Sequence, residues 1–437
     1  MHTATAATSA ADRPLAALRL RELAAHLNLH RGFADVVASL EAGHGGTLGG
    51  VWGSSRALVA AALARSCPGP LVVVAPHPGE IDAIAHDLTL FTDLPVAEFP
   101  AWESEPGERV VHDEIYGERL RVLKSLLNRS ATEHANQPPA PPGVQSARTG
   151  STEVHESNGM PINPRQSRGL SGNTPSILVT SIQSLLQPVP SRDAFAAATR
   201  EIRVGSQIDE QEFTRWLVER GGHATTAVEL PGEFSLRGGI LDVFPPDADD
   251  PVRIELFGND VESIRRFDVG SQRSLATLES TLITMIEPTA SDRAHFTAYL
   301  PEGTWFLLIE PSELAEEGKF YLDRMDRPQA FHAVRPTLEE IYKFPSVTAS
   351  GVPAGSVETT AHLEFESVER FSGEIGKVRD ELDKVSEGHE VFLVCETEAE
   401  AERLKELFKS SKLMGGDCPL FLPGGDVERQ SVTQEKG

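Results

Sequence analysis

The sequence predicts a multidomain α/β protein, and three observations carry that prediction. Its 437 residues are 40% hydrophobic, long and apolar enough to build several cores. From Thr47 onward short apolar runs alternate with helical stretches, the order of a parallel sheet with crossover helices. Within Glu229 to Ser274, in Phe234 to Arg237 and Val252 to Phe257, apolar residues instead recur at every second position, which marks strands with one face in solvent.

Charge and composition narrow the function. A formal charge of -25 opposes nonspecific contact with nucleic acid, which draws on Lys and Arg neutralising phosphates, so the chain alone is expected to bind DNA poorly. Cys67, Cys395 and Cys418 are too few and too scattered for a disulfide framework or a zinc site. No stretch has the apolar length needed to cross a bilayer, and the start MHTATAATSAADRP lacks the basic-then-apolar order of a signal peptide. The expectation is a cytoplasmic protein without a membrane partner.

Taken in order, Leu15 to Leu40 reads as helical, with Leu18, Leu20, Leu23, Ala24 and Leu27 at broadly helical spacing. His26 and His30 lie one turn apart there, but no third ligand cluster accompanies them and no metal is assigned. Leu71 to Ala75 is a strand, Ile81 to Phe91 a helix, Val96 to Phe99 a strand and Glu114 to Leu127 a helix. The stretch 129–176 is dense in Pro, Ser, Asn, Gly and Gln and is expected to be a disordered insertion. A strand at Ile177 to Thr180 and a short helix through Leu186 follow. Pro301 to Ser356 shows few periods beyond a strand at Trp305 to Ile309 and a helix near Leu338. Phe371, Ile375, Val378, Leu382 and Val385 mark one face of an amphipathic helix. A strand at Val391 to Cys395 comes next, then a helix to Leu407 capped by Thr397 with Glu400 three residues on, the start of another α/β unit.

The most informative stretch is ELPGEFSLRGGILDVFPPDADDPVRIELFGNDVESIRRFDVGSQRS. In Val252 to Phe257 the alternation turns Val252, Ile254 and Leu256 inward and Arg253, Glu255 and Phe257 outward. The same count buries Phe234 and Leu236 and places Arg237 on the polar side, so Arg237, Arg253 and Phe257 share one patch. Two readings fit this pattern. Either strand arginines sit in water and a bulge at Gly258 swings Phe257 inward, or planar guanidinium groups and a rigid ring form a protein-docking surface.

These residues resemble a known family. Arg237-Gly238 through Phe244-Pro245, the strand Arg253 to Phe257, Phe267-Asp268 and Ser271-Gln272-Arg273 match the second domain of the bacterial transcription-repair coupling factors (Mfd), whose N-terminal region is similar to the excision-repair protein UvrB. The resemblance covers nearly the whole chain outside the insertion. It implies a degenerate P-loop (RecA-like) parallel-sheet domain, an inserted UvrB domain 2-like interaction domain and a partial third α/β domain. The expected boundaries are 36–198 for domain 1a, 199–284 for domain 2, 1–35 with 285–357 for domain 1b, and 358–437 for part of domain 3. It further implies UvrA as partner, with Arg237, Arg253 and Phe257 on the contact positions, in transcription-coupled nucleotide excision repair.

In UvrB-like proteins the place of Gly50, Val51, Trp52, Gly53, Ser54, Ser55, Arg56 and Ala57 is that of a phosphate-binding loop. Such a loop needs a close-approach glycine, a lysine on the phosphates and a hydroxyl for magnesium, where Ser55, Arg56 and Ala57 stand here. Hydrolysis is therefore not expected, and the coupling factors show a similar loss. Val110-Val111-His112-Asp113-Glu114 reads as a helix start and not as a magnesium site, and Phe99-Pro100-Ala101-Trp102-Glu103 as a turn anchored by Trp102. No hydrolase or zinc motif is present, so no catalytic residue, metal or cofactor is assigned. In the family ATP and magnesium serve motor domains, and RNA polymerase and DNA bind regions not found in these residues, so a fragment or shortened product is expected. The alternatives are a UvrB-like, nucleotide-dependent protein that binds damaged DNA, and a remnant that binds nothing.

Overall fold

The computed structural model describes residues 15–102, 114–135, 175–286, 293–351 and 359–365, with a few positions between 397 and 406. The chain opens with helices α1 (Leu15–Leu27) and α2 (Arg31–Glu41), then β1 (Gly46–Gly49), α3 (Ser55–Ala64), β2 (Leu71–Ala75) and α4 (Ile81–Phe91). It continues through β3 (Val96–Phe99), α5 (Glu114–Ala135), β4 (Ile177–Ser181), α6 (Ile182–Leu186), β5 (Val189–Pro190) and α7 (Arg192–Ala197). An inserted unit follows: β6 (Thr199–Arg203), α8 (Glu210–Glu219), β7 (His223–Ala224), β8 (Glu233–Arg237), β9 (Ile240–Val243), β10 (Val252–Phe257), β11 (Asp260–Phe267), β12 (Ser274–Leu278) and β13 (Ser280–Thr284). The chain then returns through β14 (Arg293–Ala294), β15 (Trp305–Ile309), α9 (Pro311–Asp323), α10 (Val334–Ile341), β16 (Ser346–Ser350) and β17 (Thr359–His362).

Seven parallel strands form the larger sheet, in the order β17-β1-β16-β15-β2-β4-β3. Their apolar residues run without alternation because both faces are covered. Leu71, Val73 and Ala75 pack with α2, α3 and α4 on one side, and Val72 and Val74 pack with α5 and α6 on the other. The smaller sheet, β12-β11-β10-β9-β8-β7, is antiparallel except at β7 and β8 and buries one face against α8 through Phe213, Trp216 and Leu217.

Several expectations need correction. The helical stretch Leu15 to Leu40 is two helices, because His30 leaves helical geometry (ψ 118°) and its Nδ1 accepts from the Phe33 N–H at 3.3 Å, capping α2. That cap gives His30 a local structural role. α5 runs on to Ala135, so the first seven residues assigned to the insertion are helical, and 136–174 lies outside the described residues. The stretch from 301 to 356, read as weakly patterned, holds α9 and β16 as well. α9 buries only Leu314 and Gly318, too little for a period to show. β15, β16 and β17 join β1 to β4 in one sheet, so the expected domains 1a and 1b share a core, and 359–362, assigned to the third domain, closes that sheet. The helix around 371–385 and the strand 391–395 lie outside the described residues. At the expected next helix, Thr397 Oγ1 accepts from the Glu400 N–H at 3.2 Å.

The inserted unit leaves and re-enters through a paired stem, β6 against β13, from Thr199 opposite Thr284 to Arg203 opposite Ser280. α5 braces it beside the stem, at the loop after β9 and at the end of β13. Lys124 Nζ lies 2.5 Å from the buried Asp247 carboxylate, Arg121 Nη1 2.7 Å from Asp249, and the Tyr116 hydroxyl donates to the Ile286 carbonyl at 2.9 Å. Gly117 permits this approach, since a Cβ there would stand 2.2 Å from the Pro246 carbonyl oxygen.

Candidate functional site

The outer face of the smaller sheet is built by two hairpins. β8 and β9 are joined by Gly238 and Gly239, both at positive φ (55° and 82°), the requirement of a two-residue turn that matches strand twist. The turn packs on β10, where the Leu256 N–H donates to the Gly239 carbonyl at 2.7 Å. β10 buries Val252, Ile254 and Leu256 and turns Arg253, Glu255 and Phe257 to the other face. The ring of Phe257 is 75% exposed at the end of the strand beside Gly258. A register shift between Glu255 and Leu256 does not swing it inward. Leu236 was expected inward. It faces Leu241 but stays 37% exposed, because β7 pairs with β8 only at Glu233 and Phe234 and leaves the rest of that edge uncovered.

The two arginines are brought together. Asp242 stands directly opposite Arg253 in the register, and its carboxylate, 2% exposed, takes a two-pronged bond from Arg253 Nε and Nη2 at 2.7 and 2.8 Å. Arg237 Nη2 lies 3.9 Å from the same carboxylate with its side chain 61% exposed. Arg253 lies on the outer face but is tethered there. It lies 4.4 Å over the Phe267 ring, its Nη2 also donates to Gln272 Oε1 at 3.1 Å, and only 23% of its side chain is exposed. The Asp242 bond raises the Arg253 pKa above its ordinary value, against the effect of burial. Glu255, bonded by Ser263 and paired with Arg265, is held below the usual carboxylate range, the Ser263 bond being the larger cause. Phe257 stands four residues along β10 from Arg253, about 13 Å on the same face. The face therefore carries a cationic end and an aromatic end.

Asp242 carries no role in the pattern of the sequence, and Gln272 enters there only within the Ser271-Gln272-Arg273 motif. An acidic residue at an outward position of an otherwise apolar strand, Ile240-Leu241-Asp242-Val243, was the available signal for the first. Gln272 holds φ 55°, a left-handed conformation uncommon for a residue with a side chain, in a turn closed by Asp268, which accepts from Ser271 N–H and Oγ at 2.7 and 2.5 Å.

At the C-terminal edge of the larger sheet, Gly50 (φ 76°) and Gly53 (φ 54°) carry β1 into α3. Ser55 Oγ accepts from the Trp52 N–H at 2.9 Å and donates to the Trp52 carbonyl at 2.6 Å, so the hydroxyl serves its own loop. Arg56 lies between two carboxylates, Glu80 at 2.7 Å and Glu310 at 3.9 Å, and Ala57 is buried. The backbone following β17 crosses the loop. Leu363 N–H donates to the Gly49 carbonyl at 2.9 Å, Trp52 Nε1 donates to the Phe365 carbonyl at 3.1 Å, and a Cβ on Gly50 would stand 2.1 Å from the Leu363 carbonyl oxygen. Trp102 is buried, and its backbone N–H and carbonyl are both bonded by the Gln187 amide at 2.8 and 2.5 Å. Among the described residues no group of three or more His, Cys, Asp or Glu is placed to hold a metal, and no helix is long and apolar enough to cross a membrane.

The fold is a small, mostly antiparallel sheet unit set in a parallel-sheet frame: residues 201–287, bracketed by the β6 and β13 stem, match the family model of the UvrB interaction domain. Around it the chain is similar to the N-terminal, UvrB-like region of transcription-repair-coupling factors. It is 29% identical to that of Bacillus subtilis over 235 residues, 53% of this chain and 16% of the relative. It is 33% identical to that of Mycobacterium tuberculosis over 229 residues, 52% and 15%, and 32% identical to that of Myxococcus xanthus over 256 residues, 57% and 18%. The chain thus spans less than a fifth of the length of these relatives.

Proposed function

We propose that this chain is a docking module that recruits UvrA to transcription-coupled nucleotide excision repair in the bacterial cytoplasm, without hydrolysing nucleotide itself. The observation that carries the reading is the exposed Phe257 ring on the same sheet face as Arg237 and Arg253, inside the stretch that matches the UvrB interaction domain. A solvent-facing ring beside fixed cations suits an apolar pocket bordered by carboxylates or carbonyls on the partner. In a titration with purified UvrA, Phe257→Ala is expected to weaken binding by about 2 kcal/mol, the usual scale for an interface anchor. Unchanged affinity with folding intact rejects this face, and no retention of UvrA by the parent chain favours a remnant that binds nothing.

The modified loop supports the second half of the proposal. Magnesium finds no hydroxyl at Ala57, Arg56 is already flanked by two carboxylates, and the chain's own backbone crosses Gly50 where a phosphate would approach. The residues present do not fit a nucleotide. Calorimetry with MgATP is expected to give no saturable heat. A saturable site instead supports the UvrB-like, nucleotide-dependent alternative.

A further inference from the structure

We infer that Asp242 is the positioning residue of the docking face: it fixes the Arg253 guanidinium in a single orientation for the partner and thereby sets how long the complex lasts. This rests on the docking proposal above. Asp242 lies under the face, too buried to be an anchor itself, yet both arginines of the face turn to it. Arg253 is held from three directions, by the two-pronged bond from Asp242, by the Gln272 side-chain oxygen and by the Phe267 ring beneath it. Its Nε and Nη2 are thus engaged, and Nη1 makes no hydrogen bond among the described residues, which leaves it as the side available to an acceptor outside.

An unrestrained arginine loses much rotamer freedom when a partner immobilises it, whereas this one has lost that freedom on folding. Gln272 contributes from the exposed side, its left-handed backbone held by a hydrogen bond from its N–H to the Asp268 carbonyl at 2.8 Å. One carboxylate under two guanidinium groups also leaves the cluster with one net positive charge, which suits an acidic or carbonyl-rich surface. Asp242 therefore neutralises the face only in part while ordering it.

The test is a double-mutant cycle in the full chain, read as equilibrium affinity and dissociation rate with purified UvrA. Asp242→Asn keeps the shape and removes the charge, and is expected to weaken binding roughly threefold to tenfold, the range for one side chain that must be ordered on binding, through faster dissociation. On an Arg253→Gln background the same change is expected to have a clearly smaller effect, since only the looser contact with Arg237 is left for Asp242 to act through. Equal loss on both backgrounds means a general structural role and overturns the inference, as does full affinity of Asp242→Asn. Should Asp242→Asn fail to fold, Gln272→Asn, which tolerates the left-handed backbone but no longer reaches Nη2, is measured in the same cycle. It is expected to weaken binding about twofold, and no loss then overturns the inference. Phe257→Ala is run in parallel. If it too binds normally, the docking face itself is wrong; if it alone weakens binding, only the role given to Asp242 falls.

Discussion

Glu98, on the edge strand β3, is a half-buried carboxyl raised to about 7, chiefly by burial and then by its hydrogen bond with Asp82. Because the folded chain holds this proton more tightly than the unfolded chain, stability falls as the pH rises from the ordinary glutamate value to about 7, and the loss is complete above that. Glu98→Gln is therefore expected to stabilise the protein by about 1 kcal/mol at pH 8, the full shift being discounted for solvent screening, and to change little at pH 4. Urea melts at the two pH values check this. The effect is invisible in the sequence, where Asp82 and Glu98 are merely two acids on neighbouring elements. Arg119 gives a similar lesson. It is buried over the Phe99 ring at 4.0 Å, donates to the Pro100 carbonyl and Ser184 Oγ, and is pushed down to about 9 by desolvation. Phe257 is an intermediate case: a period of two, counted from Val252, turns it outward, but the inward swing at Gly258 that the pattern also allows is ruled out only by its exposure in the fold.

At the scale of the element, the hairpin of β8 and β9 controls the platform on which Phe257 stands. Gly239 holds φ 82°, and a Cβ there would lie 2.8 Å from the Leu256 carbonyl oxygen, which is backbone and cannot move aside cheaply. Gly239→Ala is expected to destabilise the inserted unit by about 2 kcal/mol, from left-handed strain and the forced shift together, and to weaken partner binding with it. Chemical denaturation monitored by Trp216 fluorescence, followed by the UvrA titration, measures both. Elements with a strong period were legible: β2, α4, β3, β4 and α6 lie where their apolar runs placed them. α9 and β16 were missed because their burial is assigned by neighbours more than by their own pattern. The break between α1 and α2 was missed because the capping imidazole of His30 is not among the usual capping side chains.

For the whole molecule, the brace between α5 and the loop at 245–250 ties the inserted unit to a helix packed on the larger sheet. Gly117→Ala pushes a Cβ against the Pro246 carbonyl and is expected to cost about 2 kcal/mol while freeing the inserted unit on its stem. Faster amide exchange in 245–250, with the β8 to β11 hairpins still protected, is the outcome to look for. The sequence by itself determined the α/β class and the alternation of side chains along β10, because periodicity is a local property of consecutive residues, while the inserted position of the smaller sheet came from the family resemblance. Tertiary structure alone decided that one sheet unites strands more than 300 residues apart, such as β1 and β17, that Arg253 is bound to Asp242, and that the chain's own backbone crosses the Gly50 loop. These depend on which distant groups are brought within a few ångströms of each other, and no local pattern records that distance.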